Sequence, residues 1–147
     1  LAMENKYYPP TIAEFHIGFE FQFACTVTVD GIKQEDDWTD DKIETPEDIN
    51  YVFERAELMD ECFRAKLLDE DDIKSLGWSW DEGDKLFRLS DYEITGQISH
   101  QYLMIEQYQE DYPMGEHTSW HDTKFQGKVK NKVELKKLME QIGIKSL

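Results

Sequence analysis

His117 and His121 stand four residues apart, the spacing at which two imidazoles on one helical face can share a metal ion. The stretch that holds them, "HTSWHDTKFQGKV", is instead rich in aromatic and branched residues and patterned as a strand. On a strand rising about 3.3 Å per residue, a four-residue step sets the two rings roughly 13 Å apart, too far for one ion. The glutamate of an HExxH helix is also missing. His16 and His100 fall at positions expected to be surface. A small metal-dependent hydrolase using His117, His121 and carboxylates of adjoining strands therefore stands as an alternative rather than the leading reading.

Carboxylates are abundant, but a catalytic pair needs a shared cleft that drives its two pKa values apart, and spacing alone does not establish one. The run Asp69, Glu70, Asp71 and Asp72 lacks the alternating oxygen ligands, central glycine and closing glutamate of an EF-hand loop, and helix capping accounts for it. There is no GxGxxG, no phosphate-binding loop and no GxSxG elbow. Cys25 and Cys62 have no CxxC spacing and read as two small thiols buried in a reducing compartment. These patterns lean away from an enzyme and imply no cofactor.

The acidic stretch "KQEDDWTDDKIE" points elsewhere. It interleaves Trp38 with Glu35, Asp36, Asp37, Asp40 and Asp41, the composition of an exposed loop whose one aromatic can anchor a partner inside a charged rim. The plainer alternative is that Trp38 packs over the edge of the core while the carboxylates are solvated. Glu54, Glu57, Asp60 and Glu61 on the following helix extend the patch into an imitation of a phosphate backbone. Such a surface would occupy the basic groove of a nucleic-acid-binding protein in a salt-sensitive way.

The net charge of −16 argues against direct binding to nucleic acid or anionic membrane and favours a basic partner. Its distribution is uneven. Residues 35–72 hold 16 acidic against four basic side chains, whereas residues 124–147 hold two acidic side chains against seven lysines. Lys132, Lys136 and Lys137 fall on the polar side of a C-terminal helix, where they solubilise it and offset self-repulsion; they could also meet the acidic patch of a second copy.

The elements that must position these residues follow from periodicity. From Phe15 to Val29 every odd position is apolar, a period-two strand signal. At roughly 50 Å the segment is too long for an unbroken strand, and Gly18 is the expected site of a bend. Asp30-Gly31 then supplies a turn with Ile32 onward returning. Thr45 caps a helix, Pro46 opens it, and Ile49, Val52, Phe53, Ala56, Met59 and Phe63 form its stripe. In "LLDEDDIKSLGW" Asp69 caps a short helix stopped by Gly77. "KLFRL", "DYEITGQIS", "HQYLMIEQYQ" and "HTSWHDTKFQGKV" form an antiparallel meander, with "EDYPMGE" its main loop. Asn131 and Glu134 make a capping box for a last helix with Leu135, Leu138, Met139 and Ile142 inward and Gly143 at its end.

With 39% hydrophobic and 13% aromatic residues the chain has enough apolar surface to fold. Leu1 and Ala2 precede Met3 and are set aside as cloning remnants, leaving one expected domain over residues 3–147. No stretch suits a membrane span or a secretory leader, so a cytoplasmic location is expected. The expected fold is α+β, a curved antiparallel sheet of about five or six strands with two main helices on one face.

Three stretches, "IAEFHIGFEFQF", "LLDEDDIKSLGW" and "FQGKVKNKVELKKLMEQIGI", together resemble a family of small uncharacterised proteins encoded by bacterial viruses and mobile elements. None of them is a catalytic signature, and Leu68, Ile73, Leu76, Gly77, Asn131, Leu135 and Leu138, which match best, are capping and packing positions. The insertion at residues 33–42 lies outside the shared pattern. The resemblance implies a viral or mobile-element origin in a bacterial host. Joined to the acidic patch, it leads to the expectation of a non-enzymatic inhibitor that blocks the basic surface of a nucleic-acid-binding host defence protein. A virus accessory or structural protein is the remaining alternative.

Overall fold

The computed structural model describes residues 6–24, 26–29, 32–35, 38–111 and 118–145, with backbone alone at 26–29, 32–35, 58, 60, 61, 110, 111 and 118–120. The fold is α+β with antiparallel sheets. Its strands are shared between a four-stranded sheet, a five-stranded sheet and a two-stranded ribbon rather than joined in one sheet. Residue contacts group the chain into two compact units, 1–67 and 68–147, each with its own core.

In the first unit the chain runs through β1 (Tyr7–Tyr8), a 3-10 turn (Ile12–Glu14), β2 (Glu20–Phe23), β3 (Thr26–Val29), β4 (Ile32–Glu35) and β5 (Thr39–Lys42). It continues as α1 (Pro46–Phe53), a 3-10 turn (Ala56–Leu58), the single turn α2 (Met59–Cys62) and β6 (Phe63–Lys66). The sheet order is β1-β6-β2-β5, and β3 pairs with β4 as the ribbon. Val29 faces Ile32, so two residues connect these strands; the pair, Asp30-Gly31, lies outside the described residues.

The long apolar alternation of residues 15–29 is divided in the structure. Gly18 turns left-handed at φ +98°, a conformation other residues adopt at a cost, and Ile17 beside it is 57% exposed. Phe15, Phe19 and Phe21 are nonetheless all buried. They close around Phe63, with the Phe15 ring centroid 5.0 Å from Phe19, 5.0 Å from Phe21 and 5.6 Å from Phe63, in edge-to-face geometry.

The first helix begins as expected. The Asp48 N–H donates to Thr45 Oγ1 and the Thr45 N–H donates to Asp48 Oδ2. It ends early, at Phe53, and the residues assigned to its last turns lie in other elements. Phe63 belongs to β6, where Phe63 and Ala65 are buried while Arg64 and Lys66 are not. This period-two alternation is itself in the sequence, but it overlaps the end of the helical stripe, and pairing with β1 and β2 decides between the two.

The second unit contains α3 (Glu70–Ser75), β7 (Ser79–Asp81), β8 (Leu86–Leu89), β9 (Tyr92–Gln97), β10 (Tyr102–Asp111), β11 (Thr118–Lys128) and α4 (Lys132–Ile142). The meander is as expected, in the order β11-β10-β9-β8-β7, with β7 an added strand. Residues 112–117, most of the "EDYPMGE" loop, lie outside the described residues. Asp69 and Asp72 form a reciprocal capping box, and Gly77 and Gly143 have φ of +106° and +100°.

At the last helix the Glu134 N–H donates to Asn131 Oδ1, and the Glu134 carboxylate accepts from the N–H of Lys130. Leu135 and Met139 are fully buried in a core shared with Ile73, Phe87, Ile94, Leu103 and Ile105. The buried Trp78 indole N–H donates to Met139 Sδ at 3.4 Å. Among the described residues no helix is long and apolar enough to cross a membrane.

Candidate functional site

Where a loop was expected, the described part of the acidic stretch is largely strand, in β4 and β5. Thr39–Lys42 forms β5 at the edge of the four-stranded sheet, with all four residues exposed. Because successive strand residues face opposite ways, Asp40 and Asp41 do not form one patch. Asp40 lies opposite Gln22 and Asp41 opposite Phe21, a core residue. The Asp41 carboxylate caps the backbone N–H of Lys42 at 2.8 Å, occupying a donor on the edge strand.

On Asp40's face a polar row crosses three strands. Gln22 Nε2 donates to Asp40 Oδ1 at 2.8 Å, and Arg64 Nε donates to Gln22 Oε1 at 2.7 Å. The Arg64 guanidinium lies 3.9 Å from the centre of the Tyr7 ring and 4.2 Å from that of Trp38, close enough for cation–π attraction. Trp38 is half-buried, with its ring on its own chain's Arg64. A depression of about 590 Å³ opens beside the row, lined among others by Tyr7, Glu20, Asp40, Lys42 and Lys66, and is mixed in charge.

The other expected site residues are spread out. Glu54 and Glu57 are exposed beyond the end of α1, with Glu54 3.7 Å from Arg55. Asp60 and Glu61 lie in α2 and Glu35 in β4, their side chains outside the described residues, as are Asp36 and Asp37 altogether. Lys136 and Lys137 are exposed and Lys132 is half-buried on α4.

The second unit holds a network that the sequence analysis passed over. Glu93 is buried, and its carboxylate is shared between Arg88, which donates through Nη1, and His121, whose Nε2 lies 3.1 Å from Oε2. Arg88 also donates to Asp81 through Nε at 3.0 Å and to Asp84 through Nη2. The Arg88 guanidinium is held protonated more firmly than usual, most strongly by Asp81, and the Asp81 carboxyl sits below its ordinary range through the Asp84 N–H first and Arg88 second.

Arg88 and Glu93 face each other because Leu89 pairs with Tyr92 around a two-residue turn, Ser90-Asp91, with Ser90 at φ +56°. The sequence signal for this pair was the turn inside "FRLSDYE". The His121 ring packs 5.4 Å from Tyr108. His117 lies outside the described residues, and among the described residues no group of three His, Cys, Asp or Glu is placed to hold a metal ion. Cys62 is buried and free, as expected, and Cys25 lies outside the described residues. Comparisons with protein-family models, with curated proteins and with solved structures match nothing to this chain, so the functional reading rests on its own residues.

Proposed function

We propose that this protein is a non-enzymatic acidic binding protein whose partner presents a basic surface. The observation that supports it most directly is the exposed edge strand β5 within a unit that carries 16 acidic against six basic side chains. Asp40, Asp41, Glu44, Glu47, Glu54 and Glu57 all face solvent in that unit. Such carboxylates accelerate encounter with a basic surface and orient it, and the contact weakens as salt rises. The partner class we favour is a nucleic-acid-binding defence protein of a bacterial host, blocked at its basic groove, with the chain of viral or mobile-element origin acting in the host cytoplasm. That finer reading rests on the sequence resemblance and the charge.

The test is competition. A basic DNA-binding protein is titrated with the chain in the presence of labelled duplex, at low and raised salt, alongside the variant Asp40→Asn, Asp41→Asn, Glu54→Gln, Glu57→Gln. Displacement of duplex by the wild type, lost in raised salt and in the variant, is the expected result; equal displacement by both would sink the idea. One observation keeps a second reading in view, the His121–Glu93 contact, since a carboxylate that fixes one imidazole nitrogen leaves the other for a metal. Metal-dependent hydrolysis with His117 would be supported by stoichiometric metal retained through dialysis and lost on His121→Ala.

A further inference from the structure

β5 has β2 on one side and, among the described residues, no strand on the other. The ladder fixes which backbone groups this leaves open. The Ile43 N–H donates to the Phe19 carbonyl, and that pair continues the register of Phe21 with Asp41 and Phe23 with Thr39. Bonded and non-bonded pairs alternate along an antiparallel ladder, so Thr39 and Asp41 bond to β2 while Asp40 and Lys42 turn their N–H and C=O outward. The Lys42 N–H is met by the Asp41 carboxylate at 2.8 Å. The Asp40 N–H and C=O, and the Lys42 C=O beyond them, are left for a further strand.

The side chains along this edge define what that strand would carry. Asp40 stands on the face of Gln22 and Asp41 on the opposite face, across from Phe21, and both are exposed. The depression of about 590 Å³ reaches the same edge, and in its lining the carboxylates of Glu20, Asp40, Asp41 and Glu44 outnumber Lys42 and Lys66. A second copy of the chain pairing through its own β5 would set these carboxylates against their images, a repulsive arrangement. A basic helix laid on the sheet would reach Asp40 and leave Asp41 behind. A strand reaches both, because its successive side chains also alternate between the two faces.

We propose that β5 takes up an extended segment of its basic partner as an added strand, with two adjacent basic residues of that segment, one meeting Asp40 and the next meeting Asp41 on the other face. The proposal rests on the acidic-binding reading given above and narrows it to a stated chemistry. Backbone bonds to Asp40 set the register, and the two cross-strand ion pairs select the sequence. An edge of four residues with one donor already taken makes the contact weak by itself. The surrounding carboxylates raise its rate of encounter and make it sensitive to salt.

The probe is the end-capped peptide Thr-Val-Arg-Lys-Val-Thr, added to the isotope-labelled full chain and followed by NMR. Two controls carry the same charge: the isomer Thr-Arg-Val-Lys-Val-Thr, whose basic residues share one face, and the first peptide N-methylated at Arg and Lys, which blocks both of its edges. The expected result is a saturable shift of the β5 amides with a dissociation constant on the order of 1 mM. At saturation the Asp40 amide should exchange with solvent at least about tenfold more slowly, while the Asp41 amide, already bonded to β2, should not change. Each control should bind about tenfold more weakly, a difference of about 1.4 kcal/mol. The double variant Asp40→Asn, Asp41→Asn should bind the peptide and its isomer alike. No saturable shift, equal binding of the N-methylated peptide, or unaltered exchange at Asp40 would each overturn strand addition, and the acidic-binding reading would still stand if the chain displaces duplex from a basic protein. Peptide uptake without displacement of duplex would uphold strand addition and remove the nucleic-acid-binding partner instead.

Discussion

His121 meets Glu93 with a whole strand between them: Nε2 on β11 lies 3.1 Å from the carboxylate on β9, across β10. A β-bulge makes this possible. Ile105 pairs with Phe125 but Glu106 pairs with Thr123, so Lys124 is passed over in the register. Counting by twos from Phe125, which packs on the core, would place Thr123 and His121 on the core face. The extra residue reverses that parity and brings His121 to the face of Glu106, Tyr108 and Glu93.

The Glu93 network should be graded by burial. Glu93 is 8% exposed at its side chain and Asp84 63%. Glu93→Ala, which leaves Arg88 and His121 without their shared acceptor, is expected to lower the melting temperature by several degrees, and Asp84→Ala to leave it unchanged. Equal effects in thermal denaturation would show that the network does not depend on the buried carboxylate.

Acid should loosen both units from the same cause. The N–H groups of Glu44 and Thr45 hold Asp48 below its ordinary 3.8, and the Asp84 N–H followed by Arg88 does the same for Asp81. A carboxyl depressed in the folded state contributes stability above its unfolded value and loses it as pH falls through the lower folded one. Urea midpoints should therefore hold from neutral pH to about pH 4 and decline below it. Asp81→Asn should make that decline shallower.

Each core should respond to truncation on its own scale. Phe63→Ala removes the ring around which Phe15 and Phe21 close, with an expected loss of about 3–5 kcal/mol. Leu135→Ala should cost about 2–5 kcal/mol. Denaturant titration of the two variants gives both values, and a loss under about 1 kcal/mol at either site would contradict its burial.

Two local devices carry smaller figures. Gly18→Ala meets no neighbouring atom, so its expected cost of about 1–2 kcal/mol comes from the left-handed backbone alone. Asn131→Ala removes the acceptor of the Glu134 N–H and should cost about 1 kcal/mol.

The Trp38 contact separates anchoring from packing. If the ring serves its own chain, Trp38→Ala should lower stability by about 0.5–1 kcal/mol through loss of the Arg64 contact. A variant that loses partner binding while keeping full stability would return Trp38 to the role of an anchor.

What the sequence determined by itself is local. Caps at Thr45, Asp69 and Asn131, stops at Gly77 and Gly143, and the meander of residues 86–128 depend on side chains within a few positions of one another, and they stand where their spacing places them. Decisions between distant segments were left to the tertiary structure. Phe63 fits a helical stripe and a strand alternation equally well until β1 and β2 offer hydrogen bonds on both sides. The polarity of "TDDK" suggests a loop, yet an edge strand needs a partner on one side only and tolerates exposed carboxylates. The joining of Arg88, Glu93 and His121 depends on a two-residue turn and a one-residue bulge, and a bulge reverses the facing of every later residue on its strand without changing the composition from which periodicity is read.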